Sequence, residues 1–241
     1  MNELEMIGIF PEREGFRREK VGGFIFVKPL EMKQMRDHVV DILMQKIMSG
    51  DLKDGDPLVQ QTIAEQTGLS RMPVREALQA LEHKGFVRYL PNRHVEVMGV
   101  TKNTIISTFR VLAALEVEMI KLINFYGKAD LSVLQHILAE LKSAIELDDS
   151  SESITIFEMN FHLELVRLIQ NPYLGMIQAK FLDSYFSYAI DHFPRNSGSI
   201  LLPLERILQA LIQQDSSGIA KDFDEYYSCI VDAMIEGGNY E

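Results

Sequence analysis

Three long polar side chains recur at helical spacing in one short segment, at Arg71, Arg75 and Gln79. Side chains four residues apart share one face of a helix, so these three would project together. An arginine can donate two hydrogen bonds to guanine O6 and N7 or clamp a phosphate, and a helix N-terminus also attracts phosphate. The spacing is typical of a DNA-reading helix, although a surface helix with two solvated arginines has the same pattern.

The other face of this segment is apolar, and its first residues indicate where the helix starts. Ser70 can accept a hydrogen bond from a first-turn N–H, and Pro73 falls in that turn, where its missing N–H costs no ladder bond. We therefore expect the helix to start at Ser70, with a side-chain cap. The residues expected to face a core are Val74, Ala77, Leu78 and Leu81, which recur at helical spacing.

Two further helices are predicted on the N-terminal side of this segment. Residues 60–67 indicate a short helix, and Gly68 supplies a tight break before Ser70. Two short helices joined by a glycine turn make a helix-turn-helix. Residues 35–49 indicate a third helix, whose apolar face gives the first two a surface to pack on.

A two-stranded wing is predicted on the C-terminal side. Gly85 is placed to end the recognition helix. Residues 86–90 and 94–98 have the composition of strands and flank a turn at 91–93. We therefore expect residues 29–98 to form a winged helix-turn-helix domain.

This part of the chain resembles the DNA-binding domain of the GntR family of bacterial transcription regulators. Separated blocks match in order, among them Ile47-Met48-Ser49-Gly50-Asp51-Leu52 and the run from Gly68 to Leu78. The resemblance implies that double-stranded DNA is the partner. The side chains that it assigns to the DNA contact are Ser70, Arg71, Met72, Pro73 and Arg75, and we add Gln61, Asn92, Arg93 and His94 to this set.

Two of these positions depart from the family pattern. Met72 stands where a threonine is usual, which removes one hydroxyl contact to the DNA backbone. His94 stands where the wing usually has a glycine, so the wing tip is expected to bend differently.

Charge is distributed unevenly along the chain. The whole chain has 24 Lys and Arg against 35 Asp and Glu, a net charge of −11, which by itself argues against a polyanionic partner. Residues 70–95, however, hold five basic and two acidic residues, whereas residues 99–241 hold ten basic and 20 acidic. The acidic half would limit nonspecific attraction to DNA while the small basic face docks.

Length and composition fit two globular domains in a reducing compartment. The 241 residues and 46% hydrophobic content suffice for two packed cores. A single cysteine, Cys229, cannot form an internal disulfide, which favours the cytoplasm. No apolar run reaches about 18 residues, so no membrane segment is expected. Residues 1–28 are interpreted as an N-terminal extension with one added strand at 24–27.

After a linker at 99–103, residues 104–241 are expected to form an all-α bundle of six or seven helices. Predicted helices lie near 104–125, 130–147, 151–170, 172–191, 200–213 and 216–236. The fold class is therefore mainly α. This half resembles the effector-binding and dimerisation domain of the FadR-like branch of the GntR family, through Leu115-Glu116, Phe161-His162 and Gln170-Asn171-Pro172-Tyr173-Leu174.

Many domains of that branch bind a metal ion through an Asp, a His four residues later and two further histidines. Glu158 and His162 occupy the first pair, one helical turn apart. The third position falls on Leu204, which cannot bind a metal, and the fourth falls near Tyr226. Because a divalent transition ion generally needs three or more protein ligands, we predict no metal site and no cofactor. Instead, His162 is expected to be an interior histidine hydrogen-bonded to Glu158 or Tyr226.

An effector site is expected in the same region of the bundle. The family places an arginine four residues before the Leu-Glu pair, where it pairs with an acidic ligand, but that position is Leu112 here and Arg110 lies on a different face. Leucines at this position and at the metal position indicate a more apolar pocket than usual. The residues assigned to the effector site are Arg110, Glu158, His162 and Tyr226, with a small organic acid as the effector.

The sequence as a whole predicts a homodimeric transcription regulator that is not an enzyme. Its binding to a palindromic operator would be modulated by the effector, in a direction that the sequence leaves open. Two rival functions remain: a metal-dependent enzyme that uses Glu158 and His162, and a winged helix that contacts another protein. Diiron bundles need paired Glu-x-x-His sets, whereas a single Glu-x-x-x-His occurs here.

Overall fold

The structure is a computed structural model that describes residues 16–21, 24–29, 35–91, 94–127, 129–147, 151–238 and 240. The described residues form two compact units. One comprises those within Glu31–Thr108 and Val231–Glu241, and the other those within Met1–Leu30 and Phe109–Ile230. The fold is mainly α, as the sequence predicts.

The elements follow one another along the chain with short connections. The strands are β1 (Phe16–Val21), β2 (Phe24–Pro29), β3 (Pro57–Leu58), β4 (Val87–Tyr89) and β5 (Val95–Val97). The helices are α1 (Met35–Met48), α2 (Gln60–Thr67), α3 (Arg71–Lys84), α4 (Lys102–Tyr126), α5 (Ser132–Glu146), α6 (Ser151–Ile169), α7 (Pro172–Phe181), α8 (Ser187–His192), α9 (Ser197–Gln213) and α10 (Ile219–Gly237). A π-helical turn, Leu182–Phe186, joins α7 to α8.

Helix α3 is the centre of the first unit, where it packs against α1, α2 and β4. The prediction of its inner face is confirmed, because Val74, Ala77, Leu78 and Leu81 are all 0% exposed. Gly68 ends α2 in the left-handed conformation at φ +68°, which a residue with a Cβ adopts only at a cost. The chain therefore turns sharply before α3 begins.

The predicted side-chain cap at the start of α3 is wrong. Ser70 has the extended backbone of an N-cap residue, but its side chain makes no capping hydrogen bond. A capping oxygen binds the N–H of the second or third helical residue, and the third residue here is Pro73, which has none. The proline that fits the first turn therefore removes one of the two donors that a cap would use.

The predicted two-stranded wing is present, and a third strand extends it to a three-stranded sheet. Strands β4 and β5 pair antiparallel, with Val87 opposite Val97 and Tyr89 opposite Val95. Strand β3 adds to the other side of β5, so the strand order is β3-β5-β4. Because β3 has only two residues, it carries too little pattern to be predicted.

The second unit is a helical bundle with an added β-hairpin. Helix α5 packs against α6 and α9, and α6 packs against α7 and α8. Strands β1 and β2 pair antiparallel, and β2 runs beside α6. One strand was expected in this part of the chain, and the structure has two. In the described part of the chain, no helix is both long and apolar enough to cross a membrane.

Helix boundaries in the bundle differ from the predicted ones at three places. Helix α4 begins at Lys102, inside the predicted linker. The helix predicted at 172–191 is divided by the π-helical turn. Helix α9 begins at Ser197 instead of residue 200, because the side chain of Asn196 accepts a hydrogen bond from the N–H of Gly198 at 2.8 Å.

Candidate functional site

The outward face of α3 presents the arginines that the sequence singled out. Arg71, Arg75 and Gln79 are all exposed. Nη2 of Arg75 lies 3.5 Å from Sδ of Met72, and neither arginine forms an ion pair with another described residue. Two guanidinium groups near one helix N-terminus are therefore available to bind an anion.

Of the other residues predicted to contact DNA, the structure describes four within the winged-helix unit, and three of these are exposed. Ser70 is exposed beside Arg71, and Pro73 is half-buried. Gln61 is exposed on α2, where its Nε2 donates to Glu65 Oε1 at 2.6 Å. His94 is exposed and its carbonyl accepts a hydrogen bond from the N–H of Leu90 at 2.8 Å. Asn92 and Arg93 lie outside the described residues.

One cation of the wing is already paired. The guanidinium Nε of Arg88 on β4 donates to the carboxylate of Glu96 on β5, the strand beside it. Arg88 is one of the five basic residues within 70–95, but its charge is already neutralised by Glu96. The positive character of α3 rests mainly on Arg71 and Arg75.

The helical unit contains a polar cluster buried in its interior. Four helices and one connecting segment contribute side chains to it. The four side chains of its two ion pairs are each at most 4% exposed. The members are Glu116 on α4, Glu158 and His162 on α6, Gln178 on α7, Arg195 before α9, and Tyr226 and Tyr227 on α10. Buried polar groups are stable only when they satisfy one another, so these contacts define the cluster.

His162 lies at the centre of the cluster and uses both ring nitrogens. Nδ1 is 2.9 Å from Glu116 Oε2, and Nε2 is 2.9 Å from the hydroxyl of Tyr226. That hydroxyl donates its single hydrogen to Glu158 Oε1 at 2.6 Å, so Nε2 must itself be the donor to Tyr226. Nδ1 faces the Glu116 carboxyl group on the other side of the ring. The imidazole is therefore held between α4 and α10 by both of its nitrogens.

Arg195 supplies a positive charge to the cluster. Its Nη1 and Nη2 donate to Glu158 Oε1 and Oε2 at 2.5 and 2.7 Å, a two-pronged contact that uses both carboxylate oxygens. Burial opposes the charged form, but the Glu158 carboxylate outweighs it and raises the pKa of Arg195. The guanidinium of Arg195 thus balances the charge of the Glu158 carboxylate.

Glu116 is held by two further donors besides its contact with the His162 ring. Its Oε1 accepts from Nε2 of Gln178 at 2.6 Å, and its Oε2 accepts from the hydroxyl of Tyr227 at 2.7 Å. Burial, followed by the nearby carboxylate, raises the pKa of Tyr227 and of Tyr226 well above the ordinary value. Both phenols therefore remain protonated donors. Within the described residues, Gln178 Oε1 and Arg195 Nε are buried and have no hydrogen-bond partner.

The cluster does not fit the metal ion that the FadR-like branch implies. Both oxygens of Glu158 are occupied by Arg195, and Leu204 at the third position is fully buried and has no donor atom. Glu116 contacts one nitrogen of His162, while Glu158 is linked to the other nitrogen through Tyr226, so the two carboxylates lie on opposite sides of the ring. No group of three or more His, Cys, Asp or Glu within the described ranges could hold a metal ion.

The predicted effector residues are only partly brought together. Glu158, His162 and Tyr226 lie in the cluster, whereas Arg110 is exposed on α4 and is not part of it. Tyr226 is a partner of His162, as expected, but Glu158 reaches the ring only through the Tyr226 hydroxyl. The cluster is also more polar than the leucines at 112 and 204 suggested.

Four members of the cluster were not predicted as site residues: Glu116, Gln178, Arg195 and Tyr227. Glu116 could have been found, because it falls on the apolar face of α4 that also carries Leu112 and Ile120. A charge on such a face indicates a buried pair. Arg195 lies in an irregular segment between two helices, where no periodicity reports which way a side chain points.

Comparison with protein families matches both parts of the chain. Residues 35–97 match the family described as bacterial regulatory proteins, gntR family, and residues 107–225 match the FCD domain. The gluconate operon transcriptional repressor of Bacillus subtilis (strain 168) is 31% identical over 136 residues, which is 56% of this chain and 55% of that protein. The HTH-type transcriptional regulator McbR of Escherichia coli (strain K12) is 30% identical over 133 residues, 55% of this chain and 60% of that protein. The matched stretch thus spans little more than half of these relatives.

Solved structures match over a longer stretch. The structure of E. coli McbR/YncC has 25% sequence identity and a TM-score of 0.53, and the match covers 85% of this chain and 99% of that one. The structure of Lar, described as controlling the expression of the Listeria monocytogenes agr system, has a TM-score of 0.67. The match to Lar covers 86% of this chain and 99% of that one at 20% sequence identity. It therefore shows that the two proteins share a fold.

Proposed function

Because the chain belongs to the GntR family of bacterial regulators and carries an FCD domain after its winged helix, we propose that it binds a specific operator as a homodimer. The observation that carries this proposal is the two-sided character of α3, with a fully buried inner face and Arg71 and Arg75 exposed on the outer one. A bacterial regulator meets its DNA in the cytoplasm, and we propose that location. The comparisons favour no enzymatic alternative.

The proposed binding mode places the N-terminal turn of α3 in the major groove. In a two-fold symmetric dimer, two such helices would read half-sites about one turn of B-DNA apart, which makes the operator palindromic. Contacts to phosphates would supply most of the affinity, and contacts of Arg71 and Arg75 to base edges would supply the specificity. The name of the B. subtilis relative supports repression as the sign of regulation, through occupation of the operator.

Selection of duplexes from a random library by the full-length protein tests this function. The selected duplex is then labelled and its affinity is measured by fluorescence anisotropy at several salt concentrations. We expect the logarithm of the binding constant to fall linearly with the logarithm of salt concentration, because phosphate contacts release counterions. A selected sequence should be palindromic. Failure to select any duplex would instead favour a winged helix that contacts another protein.

For the effector, we propose a small organic acid that binds in the helical unit. The buried Arg195 supports this class of ligand, because a guanidinium that grips Glu158 with two hydrogen bonds can grip the carboxylate of a ligand in the same way. Because Glu158 already accepts from Nη1 and Nη2 of Arg195, a ligand carboxylate that binds these two donors would displace Glu158 from them. The ligand would have to favour one of the two DNA-binding states, and such couplings are typically 5- to 150-fold.

Thermal denaturation with pairs of carboxylic acids and their neutral amides tests the effector class. An acid that binds the native protein raises its Tm as its concentration exceeds the Kd, while its amide should not. The same acid should change the Kd for the selected duplex. Equal stabilisation by an acid and its amide would exclude carboxylate recognition, and the proposed DNA-binding function would be unaffected by that result.

A further inference from the structure

Met72 is an apolar side chain on the outward face of the recognition helix. It is 57% exposed, whereas Val74 and Leu78 on the other face are fully buried. It lies one helical turn before Arg75 and Glu76, both exposed, and therefore faces the same side. The core of the winged helix gives no reason for a methionine at this position.

The thioether of Met72 lies against the neighbouring guanidinium. Its Sδ is 3.5 Å from Nη2 of Arg75. Nη2 donates to this sulfur, which accepts only weakly, and the guanidinium has further N–H donors for other partners. The two side chains thus form one outward surface with an apolar part and a hydrogen-bonding part.

We propose that Met72 contacts the 5-methyl group of a thymine next to the base that Arg75 contacts. This inference rests on the DNA binding proposed above. The N-terminal residues of a recognition helix reach base edges in the major groove. The thymine methyl is the apolar group presented there, and the other edge groups are hydrogen-bond donors or acceptors. A methionine placed against those groups would leave them without partners, which disfavours the other bases.

Replacement of thymine by deoxyuracil removes this methyl group and changes nothing else in the base pair. The wild-type full-length protein first selects a duplex from a random library, and each thymine in the selected site is then replaced in turn. We expect one thymine in each half-site at which deoxyuracil weakens binding about fourfold, the effect of losing one methylene-sized apolar contact. Met72→Ala should bind the thymine and deoxyuracil duplexes equally.

Three controls separate the methyl contact from general effects. Met72→Leu keeps an apolar side chain and should retain most of the preference. Met176→Ala changes another exposed methionine, on α7 in the helical unit, and should leave the preference intact. Because methionine is uncharged, Met72→Ala should also leave the salt dependence of binding unchanged.

The proposal is overturned if no thymine is sensitive to loss of its methyl, or if the sensitive thymine remains equally sensitive in Met72→Ala. In the second case another side chain makes the contact. Either result would leave salt-dependent, sequence-specific binding of the wild-type protein in place, so failure of this inference is distinguishable from failure of the proposed function.

Discussion

The guanidinium of Arg195 grips both oxygens of Glu158, with distances of 2.5 and 2.7 Å, inside the helical unit. The arginine side chain is 4% exposed and the glutamate 0%. Glu158 lies at a position where the FadR-like branch uses a metal ligand. In this chain the cation beside that carboxylate is therefore an arginine side chain rather than a metal ion.

Replacement of Arg195 by methionine should lower the free energy of unfolding by about 3 to 5 kcal/mol. The substitution keeps the bulk of the side chain but leaves the Glu158 carboxylate buried without its counter-charge. Urea unfolding followed by circular dichroism measures the change. The double variant Arg195→Met with Glu158→Gln should recover part of the loss, because it removes the stranded charge.

Arg206 supplies a matched surface control for this prediction. It pairs with Asp222 at 2.5 Å and Glu225 at 2.6 Å, but its side chain is 43% exposed. Exposed ion pairs contribute about 0 to 1 kcal/mol, so Arg206→Met should change stability little. If Arg195→Met and Arg206→Met lower the free energy of unfolding equally, burial does not make the Arg195–Glu158 pair more important than the surface pair.

Tyr226→Phe should destabilise the protein by about 1 to 3 kcal/mol without opening a cavity. The hydroxyl that it removes bridges His162 Nε2 and Glu158 Oε1, and both partners are buried. Thermal and urea unfolding measure the loss. Tyr126→Phe, at an exposed position on α4, is the control and should be close to neutral. An unchanged stability in Tyr226→Phe would mean that water replaces the hydroxyl.

Divalent metal ions should not stabilise the protein. The oxygens of Glu158 and the nitrogens of His162 already have protein partners, and Leu204 offers no ligand. Dialysis against a chelator, followed by addition of Zn²⁺ or Ni²⁺, should leave the Tm unchanged within error. A Tm that rises with metal concentration would show that an ion binds the native state and displaces these contacts.

Arg75→Ala should weaken binding to the selected duplex by about 1 to 3 kcal/mol and leave the fold intact, because the side chain is exposed. Arg71→Ala should likewise weaken binding to the selected duplex and relax the preference at one base pair, whereas an equal loss for all duplexes with a salt slope lowered by about 1 would assign Arg71 to a phosphate instead. Anisotropy titrations at fixed and varied salt distinguish the two roles. Arg206→Ala, a basic residue of the helical unit, should retain full affinity.

Stability should fall as the pH rises from about 10 to about 12, in part because of Tyr185. Burial raises the pKa of Tyr185 to about 12, whereas an unfolded tyrosine titrates near 10. A raised folded-state pKa stabilises the protein fully below the unfolded value, and this stabilisation is lost as the pH passes the folded value. Between these pH values the free energy of unfolding of Tyr185→Phe should therefore fall by about 2 to 3 kcal/mol less than that of the wild-type protein. Parallel pH dependences for the two proteins would argue against a buried phenol.

Periodicity explains which parts of the structure the sequence could predict. The inner face of α3 was identified because four apolar residues repeat at helical spacing, and the structure buries all of them. The capping prediction at Ser70 failed because two local preferences compete, and Pro73 removes a donor that the cap would use. Local rules therefore predict elements better than they predict individual hydrogen bonds.

The buried cluster shows the limit of that reasoning for side chains that meet across the fold. Glu158 and His162 were paired by their spacing within one helix, whereas the contacts that hold them come from α4, α10 and the segment before α9. Partners separated by 37 to 68 residues leave no local pattern. Only tertiary structure brings Arg195 to Glu158.

The π-helical turn at Leu182–Phe186 has a consequence for which changes in chain length this helix can accept. An extra residue in one turn rotates everything after it by about 100° relative to a continuous α-helix. With that rotation Phe186 lies 4.7 Å from the His162 ring, and Ala189 and Ile190 are buried. Loss of a single residue here would swing those side chains away from the interior, so relatives with a shorter turn must fill the space beside the histidine in another way.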